Sequence, residues 1–362
     1  MALTDYVTLG RSGLRVSPLC LGTMTFGEDW GWGSTIADSV KILDAYTTAG
    51  GNFIDTANIY TKGHSEKIIG DHVGRDRARR DRLVLATKFL GNMFPGDPNG
   101  GGSHRKSVVS ACEESLRRLQ TDYIDLYWMH FWDQFTPIDE TMRALDDLVR
   151  AGKVRYLGFS DTPAWKCAEA QVTARHLGWS PVIALQIEYS LLERTVEGDL
   201  VPMAIEMGMG VTPWSPLKGG VLSGKYSRSG ASSQEGRGSS PWVQNHLNER
   251  TFKVLDVLQA VAKEVNASVA QVALAWVQAQ PGVTSSIIGA RTMAQLDDNL
   301  KALDVRLNAA HLRALDEATR PVLSFPHEFL RYVTDNVQGG TTVNGRPSKL
   351  WPLSPQKDSE RH

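Results

Sequence analysis

A closed parallel β/α barrel is the fold class this sequence predicts, and three observations carry the prediction. Short, nearly continuous apolar segments alternate eight times with helical patterns between Leu19 and Leu303, as in a parallel sheet buried on both faces. Asp55, Lys88 and His130 stand at the ends of three consecutive apolar segments, the position from which barrel strands present catalytic groups. A doubly wound open sheet would need a glycine-rich turn after its first strand, and the nearest candidate, Gly31-Trp32-Gly33, lacks the third glycine. We expect residues 1–320 to form one (β/α)8 TIM barrel with an N-terminal β-hairpin and extra helices. We expect residues 321–362 to form an irregular tail that packs on or near it.

Taken in order, Tyr6–Leu9 and Leu14–Val16 flank Gly10-Arg11-Ser12-Gly13 and read as a hairpin that plugs the barrel bottom. The first strand is Leu19–Gly22, followed by a helix over Ile36–Ala49 that stops at Gly50-Gly51. Asn52-Phe53-Ile54 runs into Asp55, with Tyr60 in the loop beyond, and Ser65 reads as the N-cap of the second helix because Glu66 follows it. Leu83–Thr87 runs into Lys88, and a helix follows over Ser107–Leu119, where Ala111, Ser115 and Leu119, with Cys112 and Leu116, share a face. Ile124–Met129 runs into His130. Ile138, Met142, Leu145 and Val149 mark the fourth helix, which Gly152 stops. Val154–Phe159 is the fifth strand, and Pro163 opens its helix. Val182–Gln186 and Gly210–Trp214 are the sixth and seventh strands. Helices over Glu249–Val265 and Ser268–Gln278 precede the eighth strand, Thr284–Ile288, and two more follow over Thr292–Leu303 and Ala309–Ala318. Two long loops, Gly91–Arg105 and Lys218–Asn248, fall at the C-terminal mouth, where long loops shape access. Beyond Arg320, Pro326, Gly339-Gly340, Pro347, Pro352 and Pro355 argue for irregular chain, with Phe325, Phe329, Tyr332 and Trp351 as packing anchors.

Composition narrows the function. The net charge is −1 over 362 residues, which gives no electrostatic case for nucleic acid or an acidic membrane. No apolar run is long enough to span a bilayer. The start, Met1-Ala2-Leu3-Thr4-Asp5, lacks a basic region followed by an apolar one. Three cysteines, Cys20, Cys112 and Cys167, have no paired spacing and read as small buried hydrophobes of a reduced compartment. We therefore expect a cytoplasmic chain that acts on a small molecule, as a monomer or homo-oligomer, in which Asn266-Ala267-Ser268 is never glycosylated. No zinc-protease pattern or cysteine cluster suggests a metal.

Asp55, Tyr60, Lys88 and His130 can together protonate a carbonyl oxygen. A phenol of pKa about 10 is a weak acid near neutrality, and a cation beside it, Lys88, should lower that value. Asp55 would keep Lys88 charged and in place, and His130 could donate a second hydrogen bond to the substrate oxygen. Two donors aimed at a developing oxyanion favour the transition state over the ground state. Each residue alone has a plain reading: a turn aspartate, a half-buried tyrosine, a structural histidine. Lys88 resists it, because an unpaired buried ammonium is costly. Hydride must come from a cofactor, since no side chain supplies one.

These residues, with Asp55–Tyr60, Gly158-Phe159-Ser160, Leu191–Arg194, Gly220–Tyr226 and Ile288–Thr292, resemble the aldo-keto reductase family over about residues 6–320. The resemblance implies NADPH bound in extended form by a barrel without a Rossmann domain, and Asp55, Tyr60, Lys88 and His130 as the catalytic tetrad. It matches Ser160 and Gln186 to positions that hold the nicotinamide carboxamide, and Trp214 to an aromatic stacked on the ring. Ser215, Leu217, Gly219 and Lys225 match the pyrophosphate side, and Gly289, Arg291, Gln295 and Asn299 the adenosine end. Arg291 also favours a 2′-phosphate on physical grounds, since a guanidinium forks onto phosphate. Many relatives have asparagine where this chain has Asp161. An ionised aspartate only accepts hydrogen bonds, so as a cofactor-binding residue Asp161 could hold the carboxamide nitrogen but not its oxygen. The resemblance also admits a second reading, an NADPH-binding regulatory protein similar to potassium-channel β subunits with slow or vestigial turnover.

Gly219–Lys225 fits Walker A spacing, but Tyr226 stands where the magnesium-binding serine or threonine belongs. Trp30, Trp32, Phe94, Phe131, Trp132 and Trp242 fall on mouth loops and can line a pocket for ring-bearing carbonyl compounds. Of these, Trp30, Phe131 and Trp132 are the expected substrate contacts.

Overall fold

The computed structural model describes residues 1–228, 230, 231 and 240–361, and the chain divides into two compact units, Met1–Thr319 and Arg320–His362. In the first unit, eight parallel strands pair side by side. They are β1 (Leu19–Gly22), β2 (Phe53–Asp55), β3 (Val84–Phe89), β4 (Ile124–Met129), β5 (Val154–Ser160), β6 (Val182–Glu188), β7 (Gly210–Trp214) and β8 (Ser286–Gly289). Strand β8 pairs with β1, Ser286 opposite Leu19. The β7–β8 seam closes through one bridge, Val211 to Val283, with Thr284 N donating to Val211 O at 2.8 Å. The result is a nearly closed (β/α)8 barrel.

The two-residue period of a strand decides what fills the lumen. Phe53, Val84, Ala86, Leu126 and Trp128 form an inner apolar cluster, while Ile54, Leu85, Phe89, Tyr127 and Met129 pack outward with the helices. The inner series continues upward as Asp55 on β2, Lys88 on β3 and His130 just past β4, so the polar groups crown an apolar column. Hairpin residues Leu9 and Val16 belong to the same inner cluster, which makes the hairpin Val7–Thr8/Arg15–Val16 the lower plug. Gly10 permits this approach: its φ is +59°, and a Cβ there would lie 2.4 Å from Ile183 O. Gly158 on β5 serves the lumen likewise, since a Cβ would lie 2.2 Å from the Trp128 ring.

The helices begin and end where local chemistry dictates. Helix α1 (Ile36–Thr48) is capped by Thr35, whose side chain accepts from Asp38 N. Helix α2 (His64–Ile69) departs from expectation, because Ser65 lies inside it and Gly63 precedes it. Thr61 does the capping: its hydroxyl accepts from Ser65 N at 3.0 Å, freeing the Ser65 hydroxyl to bond Thr23 O. Helices α3 (Arg105–Leu119), α4 (Ile138–Arg150), α5 (Ala164–Leu177) and α6 (Leu200–Met207) follow their strands. Helices α7 (Glu249–Glu264) and α8 (Val269–Gln278) fill the β7–β8 connection, and Ser268 with Gln271 forms a capping box at α8. Helices α9 (Met293–Leu300) and α10 (Ala309–Thr319) complete the first unit.

The second unit holds more regular structure than its prolines and glycines suggested. Helix α11 spans His327–Gln338, and Thr342–Val343 pairs with Arg346–Pro347 in a small hairpin. Among the described residues, no helix is long and apolar enough to cross a membrane.

Candidate active site

Barrel geometry brings Asp55, Tyr60, Lys88 and His130 together. After Asp55 the chain stays tied to β3, Thr56 N donating to Ala86 O at 2.9 Å and Asn58 N to Lys88 O at 3.0 Å. Tyr60 opens a tight turn in which Thr61 and Lys62 take left-handed φ of 47° and 59°. Thr61 locks this turn by donating its hydroxyl to Phe26 O at 2.9 Å. Lys88 is fully buried within β3. Its ammonium donates to the Asp55 carboxylate, to Thr56 O at 2.9 Å and to Tyr60 Oη at 3.1 Å, which uses all three of its protons. Asp55 also accepts from Gln186 Nε2 at 3.1 Å, a bond that links β2 to β6 across the lumen.

The electrostatics follow from burial and this one cation. Burial pulls the Lys88 ammonium down, but Asp55 and Tyr60 outweigh it and the net shift is upward, so Lys88 stays charged. Burial likewise raises Asp55 against the pull of Lys88. Tyr60 corrects the sequence expectation. Burial raises its phenol, Asp55 adds to the rise, and Lys88 offsets only part of it. His130 is pushed down to about 3, by burial first and then by the Lys88 charge, so its imidazole is neutral. The ring lies edge-on to Tyr60 with centroids 5.8 Å apart. Its Nδ1 is enclosed without a hydrogen-bond partner among the described residues, which leaves Nε2 as the nitrogen that can face a substrate.

The other side of the mouth gathers the residues matched to a cofactor. Ser160 is buried at the end of β5, and its carbonyl accepts from Thr162 Oγ1 at 2.9 Å. Asp161 follows in the left-handed region, φ 41°. Its N donates to Gln186 O at 3.1 Å, and its Oδ1 accepts from Trp214 Nε1 at 2.9 Å. Burial raises its carboxyl to about 6, with the Glu188 charge adding to the rise and the Trp214 bond opposing it. Ser215, φ 52°, starts a compact loop in which its Oγ accepts from Gly219 N at 3.1 Å and Leu217 O accepts from Gly220 N at 2.9 Å. Lys225 is lowered by burial first and then by the charge of Arg291. Gln295 Oε1 accepts from Arg291 N at 2.8 Å and Asn299 Nδ2 donates to Gly289 O at 3.1 Å. Those two side chains therefore fix the backbone under Arg291 in this structure. Among the described residues no carboxylate pairs with the Arg291 guanidinium.

The aromatics divide. Trp30 stands edge-on to Tyr60 at 6.4 Å and 5.5 Å from Trp32, while Phe131 lies 5.6 Å from His130. Trp32, Trp30, Tyr60, His130 and Phe131 thus form one line of rings. Trp132 instead packs edge-on against Trp165, 5.7 Å away. Phe94 lines a separate cavity of about 180 Å³ with Asn58, Met93, Lys106, Ser107 and Arg118, and no tetrad residue borders it. The Trp242 side chain and part of the loop at 218–248 lie outside the described residues. Sequence reasoning missed the pair of Glu188, at the end of β6, with Lys218, 2.7 Å apart. An acid at a strand end and a buried-loop lysine inside the phosphate-side segment were the available signal.

The aldo/keto reductase family model matches residues 18–320, and the chain belongs to that family. It is 40% identical to an uncharacterized oxidoreductase, YrpG, of Bacillus subtilis over 86% of this chain and 95% of that one. It is 38% identical to norsolorinic acid reductase of Aspergillus flavus, covering 95% and 87%. With aryl-alcohol dehydrogenase [NADP(+)] of Phanerodontia chrysosporium the identity is 37%, covering 87% and 86%. The chain is an oxidoreductase.

Proposed function

We propose that this chain reversibly transfers hydride between NADP(H) and an aldehyde or ketone, the alcohol in reverse, with Tyr60 as general acid and base. The observation that carries this reading is the Lys88 ammonium, bonded at once to Asp55, Thr56 O and Tyr60 Oη. A phenol held above its ordinary value keeps its proton until an acceptor with developing negative charge arrives. Lys88 then stabilises the phenolate left behind, and Asp55 prevents Lys88 from losing its charge instead. Neutral His130 donates from Nε2 to the same oxygen, so two donors meet the oxyanion where hydride addition creates it. In the oxidative direction the phenolate takes the alcohol proton.

Two features fit a dinucleotide phosphate. Gly219 and Gly220 take φ of 64° and 94°, so this loop turns tightly with no Cβ at either position to keep a ligand away. Lys225 and Arg291 bring two like charges together, an arrangement that an anion relieves. When bound, NADPH supplies the hydride. Ser160, Asp161, Gln186 and Trp214 would hold its nicotinamide end, and Ser215, Leu217, Gly219 and Lys225 its pyrophosphate. Arg291, seated by Gln295 and Asn299, would take the 2′-phosphate.

The line of rings beside Tyr60 favours aromatic carbonyl substrates or aryl alcohols, in keeping with the name of the aryl-alcohol dehydrogenase relative. Trp30 and Phe131 would flank the substrate ring. A small-molecule substrate, no nucleic-acid or membrane partner, and a cytoplasmic setting complete the proposal. The test follows NADPH consumption with nitrobenzaldehyde and with short aliphatic aldehydes, beside cofactor binding by fluorescence. Turnover favouring the aromatic substrate supports the reading. Tight NADPH binding without turnover across a broad carbonyl panel would move the regulatory reading ahead.

A further inference from the structure

We propose that Asp161 sets the redox preference of the site: its ionised carboxylate favours the cationic nicotinamide of NADP+ over the neutral ring of NADPH. This inference rests on the cofactor reading above and goes beyond it.

Hydrogen bonding does not explain an aspartate here. Its Oδ1 accepts from Trp214 Nε1 at 2.9 Å, and an asparagine oxygen would accept the same bond. What aspartate adds is charge, and the site holds that charge in place. The backbone is left-handed, φ 41°, an uncommon conformation for a residue with a Cβ. It is pinned from both sides, Asp161 N donating to Gln186 O at 3.1 Å and Trp132 N donating to Asp161 O at 3.4 Å. The bond to Trp214 fixes one carboxylate oxygen, Oδ1, and Ser160 also bonds the carboxylate.

The carboxylate is also close enough to the chemistry to act by charge. It raises Tyr60, and Lys88 in turn pulls Asp161 down. Hydride must be delivered to the carbon whose oxygen meets Tyr60, so the ring that donates it lies within the same field. Low-dielectric surroundings strengthen that field. The titratable groups that act on Asp161 are Glu188 on β6, itself paired with Lys218, and Lys88 on β3, with the protonated Tyr60 beyond β2. His130 beyond β4 is neutral. Lys166 on α5 faces Glu169 at 2.7 Å. With a carboxyl near 6 before cofactor binds, the cationic ring should favour ionisation of Asp161 and the neutral ring should not.

The experiment is a pair of tryptophan-fluorescence titrations, NADP+ and NADPH, on the full chain from mildly acidic to mildly alkaline pH. Both cofactors carry the same phosphates, so phosphate titration cancels in the ratio Kd(NADPH)/Kd(NADP+). That ratio should rise about tenfold as Asp161 ionises, equivalent to about one pKa unit of coupling. Asp161→Asn should flatten it, and Asp161→Glu should restore a slope. A flat ratio in the wild type, or the same rise in a folded Asp161→Asn, overturns the proposal. If Asp161→Asn fails to fold by circular dichroism, the wild-type profile alone decides. Absence of binding by either cofactor would instead overturn the cofactor reading, and this inference with it.

Discussion

The two sides of the barrel mouth are built on opposite principles. On the β2–β4 side the charges answer one another inside the protein: Lys88 spends its three protons on Asp55, Thr56 O and Tyr60, and the loop after β2 is stitched to β3 by backbone bonds. On the β5–β8 side the groups are arranged for something else. Asp161 is charged only above about 6, Lys225 and Arg291 crowd two like charges, and the loop after β7 bends through left-handed Ser215, Lys218, Gly219 and Gly220. Under the proposed function the first side is preorganised for proton transfer, because its donors need no rearrangement when charge develops. The second carries left-handed backbone at Asp161, Ser215 and Lys218 and a raised carboxyl at Asp161, marks of a surface that a ligand completes.

Four predictions sharpen that contrast. The largest effect belongs to Lys88→Met, which strands the Asp55 carboxylate in the lumen. We expect a loss of about 3–5 kcal/mol in unfolding free energy together with loss of turnover, read by urea denaturation and steady-state assay. An unchanged midpoint would show that the pair is not structural. Next is Gly158→Ala, which drives a methyl into the Trp128 ring and should cost about 1–3 kcal/mol. Unaltered stability would mean that the inner column yields easily.

Asp161→Asn should act in the other direction. Its folded value, about 6, lies above the unfolded value of about 3.9, so the native state holds a proton that the unfolded chain releases. The contribution is fully present below the unfolded value and is lost as pH rises through 6. The asparagine variant should therefore melt higher than wild type at pH 8, by on the order of 2 kcal/mol, with a smaller difference at pH 4. Equal differences at both pH values would remove the charge argument. The smallest effect is at the rim. Trp30→Ala should raise KM for aromatic aldehydes several-fold more than for short aliphatic ones, from the loss of about 0.5–1.5 kcal/mol of ring contact. Trp132→Ala should discriminate less, since that ring packs on Trp165.

Much of this was legible in the chain because barrel strands announce themselves by apolar runs, and their polar ends are few. Asp55, Lys88 and His130 were readable as a set for that reason. Other features were not, and the causes are physical. Ser65 looked like a cap, but Thr61 reached the free N–H first from a left-handed turn that no propensity favours. The direction of the Tyr60 shift depends on how deeply the phenol is buried, which a residue list cannot convey. Glu188 and Lys218 meet across 30 residues of loop and strand. Helix α11 was hidden because Pro326 and Gly339 bracket a segment short enough to read as loop, although Phe329, Leu330, Val333 and Val337 recur at helical spacing.

The most direct test of the central claim is single-turnover reduction of nitrobenzaldehyde by Tyr60→Phe, with NADPH affinity measured on the same preparation. The account predicts unchanged NADPH binding and a chemical step slowed about 10²–10⁴-fold, since only the proton donor is lost. A Tyr60→Phe enzyme that binds NADPH and turns over within a few-fold of wild type would contradict it.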